Sequence, residues 1–149
     1  MFFELDMINN LPRPIAFTNG CFDLFHYGHL FSLKESSKFG QSLVVAVNSD
    51  LSAAELKGSD RPIIQDSYRL EIIKSIRYVD YAFLFDEITV DRYVKEINPD
   101  FYVKGSEWKD NLPENLENTI VKFIDRVDNI STTDIIEKID NEKSIDKFK

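Results

Sequence analysis

The chain has 149 residues, of which 43% are hydrophobic and 13% are aromatic. This length corresponds to about one domain with a single core, so we expect no second globular domain within these residues. The formal net charge of −8 argues against a general binder of duplex nucleic acid, because such proteins need a clustered cationic face. An anionic small substrate stays compatible with this charge, since a few local cations can outweigh a global deficit.

The cysteine content and the N-terminal residues indicate a cellular compartment. Cys21 is the single cysteine and cannot form an intramolecular disulfide. Residues 1–10 (MFFELDMINN) carry acids where a secretion signal needs cations before an apolar run. No apolar stretch approaches the roughly 20 residues that a membrane span requires. We therefore expect a reduced, cytoplasmic protein that binds neither membranes nor nucleic acid.

The apolar runs alternate between strand-like and helix-like patterns along the chain. Short β-rich runs predict buried strands at residues 15–18 and 42–47, and helical spacing over residues 30–37 predicts a helix between them, with Gly40 as its C-cap. The later predicted elements are a helix at 66–77, a strand at 81–85, a helix at 89–97, strands at 101–103 and 119–124, and a helix at 132–139. The segment after the second predicted strand, from Asp50 to Arg69, is interpreted as a loop that carries Lys57.

This order predicts an α/β fold with a doubly wound, mostly parallel sheet of five strands. We expect one domain over residues 1–140 and a polar, frayed C-terminal tail over residues 141–149. Parallel sheets of this kind bind ligands at the carboxyl ends of their strands. The residues that follow the predicted strands are therefore the first candidates for a functional site.

Both histidines of the chain lie in one tetrapeptide, His26-Tyr27-Gly28-His29, directly after the first predicted strand. Their spacing at a helix start places the imidazoles on one side of the chain, beside backbone N–H groups that favour an anion. Gly28 allows a phosphate to approach the backbone closely. The pattern indicates a phosphate-binding pair, with a surface helix start carrying incidental histidines as the alternative. A zinc site is disfavoured because the pair has no cysteine or carboxylate partners at ligand spacing.

Two segments resemble known signatures. Residues 18–29 (TNGCFDLFHYGH) resemble the first signature of the cytidylyltransferase-like nucleotidyltransferases, and residues 126–133 (RVDNISTT) resemble their second. The stronger likeness within this family is to the adenylyltransferase module of ADP-heptose synthases, through residues 47–50, 56–58, 61–63, 85–87, 99–100 and 103–105. Glycerol-3-phosphate cytidylyltransferase comes second, through residues 68–69 and 76–80, Trp108 and the second signature. The resemblance covers about residues 15–140.

The resemblance implies a Rossmann-like fold and a direct nucleotidyl transfer. A phosphorylated sugar or polyol attacks the α-phosphorus of an NTP in line, Mg²⁺ accompanies the triphosphate, and pyrophosphate leaves without a covalent enzyme intermediate. ATP with heptose 1-phosphate, giving ADP-heptose, is the first choice. CTP with glycerol 3-phosphate, giving CDP-glycerol, is the alternative, and a nucleotide-binding protein without turnover is a third reading. The resemblance also implies a homodimer and a role in supplying precursors of a surface glycan, such as bacterial lipopolysaccharide.

The resemblance also implies roles for individual residues. His26 and His29 would stabilise charge on the phosphates, and Lys57 would close over the triphosphate as the third catalytic residue. Nucleotide contacts would come from Asn19, Gly20, Cys21, Phe22, Tyr27, Gly28, Arg69, Arg126, Ile130, Ser131, Thr132 and Thr133. Acceptor contacts would come from Asp23, Asp50, Lys104, Gly105 and Trp108. No residue is expected to hold a resident metal ion.

Several of these residues have simpler alternatives. Lys57 is also compatible with an ordinary solvated lysine, and Asp23 with a turn former. A cation near the start of a helix opposes its dipole, so Arg69 indicates either an anionic ligand or an ion pair with Asp66 or Glu71. Helix capping alone would explain Ser131.

Three further positions keep a second interpretation or depart from the family pattern. Cys21 also fits a small buried residue with an inert thiol, and Trp108 a hydrophobic lid. Asn129 stands where cytidylyltransferases usually carry glycine, and residues 105–110 differ from the usual heptose-enzyme segment.

Overall fold

A computed structural model describes residues 3–146 of the chain, which form a parallel sheet with helices on both faces. The five strands are β1 (Ile15–Gly20), β2 (Ser42–Asn48), β3 (Tyr81–Phe85), β4 (Phe101–Gly105) and β5 (Ile120–Ile124). Their order across the sheet is β3-β2-β1-β4-β5, and every pairing is parallel. The predicted α/β, doubly wound architecture with five parallel strands is confirmed.

The described residues contain six α-helices, four of which lie between strands. They are α1 (Leu5–Asn9), α2 (Tyr27–Ser37), α3 (Asp50–Lys57), α4 (Asp66–Lys74), α5 (Asp91–Ile97) and α6 (Thr132–Asp146), and a short 3-10 turn follows β4 at Ser106–Trp108. Among the described residues, none of these helices combines the length and apolar character of a membrane span.

Strand alternation divides the core into two layers. On β2, Val44 and Ala46 pack with α1 and α5 on one face, whereas Val45 and Val47 pack with α2 and α4 on the other. All seven residues of β2 are buried, which is the pattern expected for a central strand covered on both faces. This arrangement explains why the continuous β-branched run in the sequence is apolar throughout.

Several predicted elements and boundaries differ from the structure. Residues 50–57, which the sequence analysis interprets as part of a loop, form α3. Ser49 caps the start of this helix, because its side chain accepts a hydrogen bond from the Ser52 N–H. Helix α4 ends at Lys74 rather than at residue 77, and α6 continues to Asp146 through most of the expected frayed tail. The short helix α1 was not predicted, because five residues are too few for a periodic pattern.

The sequence predicts Gly40 as the C-cap of the first crossover helix, and the structure differs. Helix α2 ends at Ser37 with Lys38 as its C-cap. A Cβ atom at Gly40 would lie only 2.6 Å from the carbonyl oxygen of Pro14. Glycine is therefore needed here for a close approach of two backbone segments.

The strand order places the topological switch point beside β1. The chain moves from β1 to β2 and β3 on one side, and β4 and β5 lie on the other side of β1. Crevices at such switch points, outside the carboxyl ends of the strands, are where ligands bind in open α/β sheets. The segment between Gly20 and the start of α2 lies at this position.

Candidate active site

The turn from β1 into α2 has a strained backbone. Phe22 and Leu24 adopt left-handed conformations with φ angles of 54° and 48°. Bulky residues seldom occupy this region, and such strain concentrates at functional sites. The Phe22 side chain is buried, so core packing on one side of the turn holds the backbone in this shape.

The two histidines form a reciprocal cap at the start of α2. The Nδ1 atom of His26 accepts a hydrogen bond from the Gly28 N–H at 3.0 Å, and the Nδ1 atom of His29 accepts one from the His26 N–H at 3.3 Å. Their rings stack with centroids 3.8 Å apart. The sequence predicted that the two imidazoles share one side of the chain, and the structure places them in contact.

This capping defines the protonation state of both rings. A ring nitrogen that accepts a backbone N–H carries no proton, so each neutral imidazole holds its proton on Nε2 and can donate it outward. Burial, the neighbouring His26 ring and Lys57 lower the pKa of His29 to about 3. Burial and Arg126 also lower the pKa of His26 below its usual value. The pair therefore supplies two neutral hydrogen-bond donors at neutral pH.

A pocket opens beside this pair, with an empty volume of about 370 Å³. Its lining joins the first signature to α3, to the segment before α4 and to the start of α6. The lining residues are Cys21, Phe22, Asp23, His29, Ala53, Lys57, Arg61, Pro62 and Thr132. Six of the sequence-predicted site residues thus line one pocket, and they include two of the three predicted catalytic residues.

Asp23 connects the parts of the pocket wall. Its carboxylate accepts hydrogen bonds from the backbone N–H groups of Ile63 at 2.7 Å and Ile64 at 2.9 Å. Its carbonyl oxygen accepts a hydrogen bond from the Thr132 hydroxyl at 2.7 Å. Asp23 was predicted to contact the acceptor, with a turn former as the alternative. The structure shows that it fixes the turn and two neighbouring segments.

The second signature packs directly on the first. A Cβ atom at Gly28 would lie 3.5 Å from a methyl carbon of Ile130, so this side chain covers the glycine. Asn129 has a φ angle of 62°, a left-handed conformation that glycine and asparagine both tolerate. The departure from the family's glycine therefore preserves the backbone shape. Ser131 accepts a hydrogen bond from the Asp134 N–H at 3.0 Å, as expected for a helix cap.

Arg69 has a different environment from either predicted one. Its guanidinium is fully buried and donates to the carbonyl oxygens of Cys21, Asn48 and Ile64 and to the Asp50 carboxylate at 2.6 to 2.9 Å. The ion pair is with Asp50 rather than with Asp66 or Glu71. Arg69 thereby joins the segment that follows β1 to the end of β2 next to the pocket. Four of its N–H groups are engaged in these contacts, so Arg69 acts as a positioning residue for the site.

A second group of predicted residues lies at the end of β4. Lys104 donates to the carbonyl oxygen of Asn19 at 2.9 Å, and its Nζ atom lies 4.5 Å from the centre of the Trp108 ring. Burial lowers the pKa of Lys104 to about 8. The Asn19 side chain accepts a hydrogen bond from the Tyr102 hydroxyl at 2.6 Å. Gly105 ends this strand, so these residues form a wall beside β1.

The remaining predicted residues are less closely gathered. Tyr27 is exposed and faces Phe31 rather than the pocket, and Thr133 is exposed on the first turn of α6. Arg126 is exposed but close enough to lower the pKa of His26. Burial raises the pKa of the Cys21 thiol, which agrees with an inert side chain.

Arg61 lines the pocket and was not predicted as a site residue. The sequence marks it only as part of the family-like segment 61–63. A second cation four residues after Lys57 was the available signal, but spacing within an assumed loop does not show where a side chain points.

The chain is similar to proteins of known sequence and structure. A family model described as cytidylyltransferase-like matches residues 17–138. Two relatives named Bifunctional protein HldE, from Campylobacter fetus subsp. fetus and Nitratiruptor sp., are each 41% identical to this chain over 137 and 145 residues. The alignments cover 91% and 93% of this chain but 30% and 31% of the relatives. The chain thus spans less than a third of the length of these relatives.

Two solved structures share the fold. The lipopolysaccharide core biosynthesis protein from Thermoplasma volcanium superposes with a TM-score of 0.61 at 28% identity, over 76% of this chain and 98% of that one. Pantothenate synthetase from Thermus thermophilus superposes with a TM-score of 0.57 at 11% identity, over 89% of this chain and 67% of that one, which shows the fold alone. The family predicted from the two signatures is confirmed by the match over most of the chain: the chain belongs to the cytidylyltransferase-like family.

Proposed function

We propose that the chain is a nucleotidyltransferase that joins ATP to heptose 1-phosphate and releases pyrophosphate, giving ADP-heptose. The observation that carries this proposal is the stacked histidine pair with its two neutral Nε2–H donors, of which His29 lines a pocket together with Lys57. The family supports transfer of a nucleotidyl group. The identity to relatives named Bifunctional protein HldE and the likeness to ADP-heptose synthases support the choice of substrates.

The arrangement suits a reaction that needs positioning and charge stabilisation without covalent catalysis. A phosphate oxygen of the sugar phosphate attacks the α-phosphorus, and the bond from the α-phosphorus to the bridging oxygen of pyrophosphate breaks. Negative charge grows on the phosphate oxygens as this happens. His26 and His29 donate hydrogen bonds to these oxygens, and the ammonium group of Lys57 neutralises charge on the departing pyrophosphate.

The carboxylates near the pocket bear on the role of Mg²⁺. The oxygens of Asp23 accept three backbone N–H groups, and Asp50 is paired with Arg69. Mg²⁺ in phosphate sites commonly binds through one or two carboxylates together with substrate phosphates and water. Because the carboxylates of Asp23 and Asp50 already have partners, the pocket fits Mg²⁺ that arrives with the triphosphate as part of the substrate.

We also propose that the protein acts in the cytoplasm as a homodimer. Exposed apolar side chains on α3 and α4, among them Leu51, Tyr68 and Ile72, support a contact between two copies. Light scattering coupled to size-exclusion chromatography tests the dimer. A mass near twice 17.3 kDa is expected, and a mass near 17.3 kDa contradicts it.

Pyrophosphate release tests the proposed reaction. ATP, CTP, GTP and UTP are each combined with Mg²⁺ and with heptose 1-phosphate or glycerol 3-phosphate. Turnover with ATP and heptose 1-phosphate is expected. Turnover only with CTP and glycerol 3-phosphate would reassign the substrates. This alternative is favoured by Trp108 and by residues 105–110, which differ from the usual heptose-enzyme segment. Nucleotide binding without release in any mixture would indicate a binding protein.

A further inference from the structure

One buried cation of the pocket has an unmet hydrogen-bonding requirement. Among the residues that the structure describes, only the Nε atom of Arg61 and the hydroxyl of Ser36 are buried side-chain polar atoms without a partner. The Arg61 side chain is 16% exposed. A buried N–H of a charged group without an acceptor is unfavourable, so its presence requires an explanation.

The nearest acid does not supply the missing acceptor. The Nε atom of Arg61 lies 3.7 Å from an Asp23 oxygen, beyond hydrogen-bond distance. The Asp23 oxygens instead accept the backbone N–H groups of Leu24, Ile63 and Ile64. Asp23 therefore attracts the Arg61 guanidinium electrostatically but accepts no hydrogen bond from it, so the N–H groups of Arg61 stay available.

The backbone around Arg61 is fixed from two sides. Asp23 holds the N–H groups of Ile63 and Ile64, and the buried guanidinium of Arg69 donates to the Ile64 carbonyl oxygen at 2.8 Å. The segment that carries Arg61 is thereby attached both to the β1–α2 turn and to α4. Its position is set before a ligand arrives, which reduces the entropy lost on binding.

The ligand chemistry follows from the other residues of the pocket. Arg61 lines it together with His29 and Lys57, and Asp23 is the only acid among its lining residues. The carboxylate oxygens of Asp23 already accept backbone hydrogen bonds, so two cations and a neutral donor face the open space. A guanidinium in such a setting matches the oxygens of a phosphate group.

We propose that Arg61 is a substrate-binding residue that donates to phosphate oxygens in this pocket, on the sugar phosphate or on the nucleoside triphosphate. This assignment rests on the proposed nucleotidyl transfer and adds a residue to it. A purely structural role is the competing explanation, and Arg69 already provides the buried contacts that hold this region together.

Steady-state kinetics of Arg61→Gln test the assignment. We expect the KM for one of the two substrates to rise about tenfold or more, since a lost charge-assisted hydrogen bond has effects of this size. Arg61→Lys, which keeps the charge, should recover part of the loss. A higher KM for the sugar phosphate would show that Arg61 binds this substrate. A higher KM for the triphosphate would show that Arg61 binds the nucleotide.

Arg13→Gln is the matched control, because Arg13 pairs with Asp100 at the amino end of β1, away from the pocket. Its kinetic constants should equal those of the wild type. Arg61 would be shown to be structural if Arg61→Gln lowered the melting temperature while both KM values stayed within twofold. Unchanged KM values with unchanged stability would equally overturn the assignment.

A binding measurement separates this inference from the proposed reaction. Calorimetric titration with inorganic tripolyphosphate and with inorganic phosphate needs no turnover. We expect Arg61→Gln to weaken binding of at least one of these anions about tenfold or more. If the wild type binds these anions more tightly than Arg61→Gln but releases no pyrophosphate, the proposed reaction is refuted and the role of Arg61 stands. Equal affinity of the wild type and Arg61→Gln for both anions would refute the role of Arg61.

Discussion

At the scale of single residues, backbone contacts decide what the histidines can do. Each Nδ1 atom accepts a hydrogen bond from the backbone, so each neutral ring carries its proton on Nε2 and can donate it. Aromatic neighbours contribute to the burial, because the rings of Phe22 and Phe25 lie 5.5 Å from that of His29. The result is a pair of neutral donors rather than a general acid and base.

Replacing His29 tests this role. We expect His29→Ala to lower kcat at least about 100-fold, the effect typical of losing one donor to a transition state. His29→Gln is the companion variant, since glutamine at this helix position can still cap the His26 N–H. If His29→Gln is more stable than His29→Ala but turns over no faster, the lost turnover is due to the missing imidazole and not to the missing cap. Near-normal kcat in His29→Ala would exclude His29 from catalysis.

The lowered pKa of His29 predicts an effect of acid on stability. The folded pKa of about 3 lies below the unfolded value of 6.5, so between these values the unfolded chain binds a proton that the folded chain does not. The contribution of His29 to the free energy of unfolding is therefore fully present well above pH 6.5, and it is lost as the pH drops through 6.5 towards the folded pKa of about 3. Between pH 7 and pH 5 this group should remove about 2 kcal/mol from the free energy of unfolding.

Urea unfolding at both pH values checks this effect by difference. The wild type should lose about 2 kcal/mol more than His29→Gln, which keeps the cap and cannot titrate in this range. Equal losses in the two proteins would show that His29 titrates normally in the folded state.

The sequence identified most pocket residues but not all of their roles. His26, His29 and the hydroxyls before α6 could be recognised because a dense signature fixes their spacing. Arg69 and Arg61 could not be resolved, because each depends on carbonyl oxygens or carboxylates more than two residues away in the sequence, such as Cys21 and Asp23. Such contacts leave no local pattern.

At the scale of elements, helix α3 determines where Lys57 lies. Lys57 is the last residue of α3, and Gly58 follows with a φ angle of 110° that ends the helix. A cation at this end is favoured by the helix dipole, and it also lines the pocket. The sequence contained the signals for this helix in the Ser49 cap and the alanines at 53 and 54, so the loop interpretation was wrong.

Lys57→Ala should weaken the use of NTP. We expect the KM for NTP to rise about tenfold, since the variant loses a charge-assisted contact to phosphate. Lys74→Ala is the matched control, because Lys74 ends α4 in an exposed pair with Glu71. Kinetic constants that match the control would remove Lys57 from the site.

Arg69 joins three elements, so its removal should affect the fold itself. Arg69→Met leaves the Asp50 carboxylate and three carbonyl oxygens without their donor. Asp50 is 45% exposed and can be solvated, so the loss comes from the carbonyl oxygens, and leaving a buried acceptor unsatisfied typically lowers the free energy of unfolding by about 1 to 3 kcal/mol. Urea unfolding measures this loss. A decrease below about 1 kcal/mol would show that the network is dispensable for folding.

At the scale of the whole molecule, the alternation of strands and helices made the architecture predictable. Fully buried strands such as β2 are apolar on both faces, which distinguishes a parallel sheet from a half-exposed one. The strand order β3-β2-β1-β4-β5 was not predicted, because it depends on which side of β1 the later strands pair. That order places the ends of β1 and β4 side by side and so forms the wall that holds Lys104.

Phosphorus NMR of the complete reaction tests the central claim most directly. The protein is mixed with Mg²⁺, ATP and heptose 1-phosphate, and the spectra are followed over time. Nucleotidyl transfer predicts loss of the sugar phosphate monoester signal, appearance of the two coupled signals of a nucleoside diphosphate sugar, and an equal amount of pyrophosphate. Unchanged ATP and sugar phosphate, or the appearance of ADP in place of pyrophosphate, would contradict it.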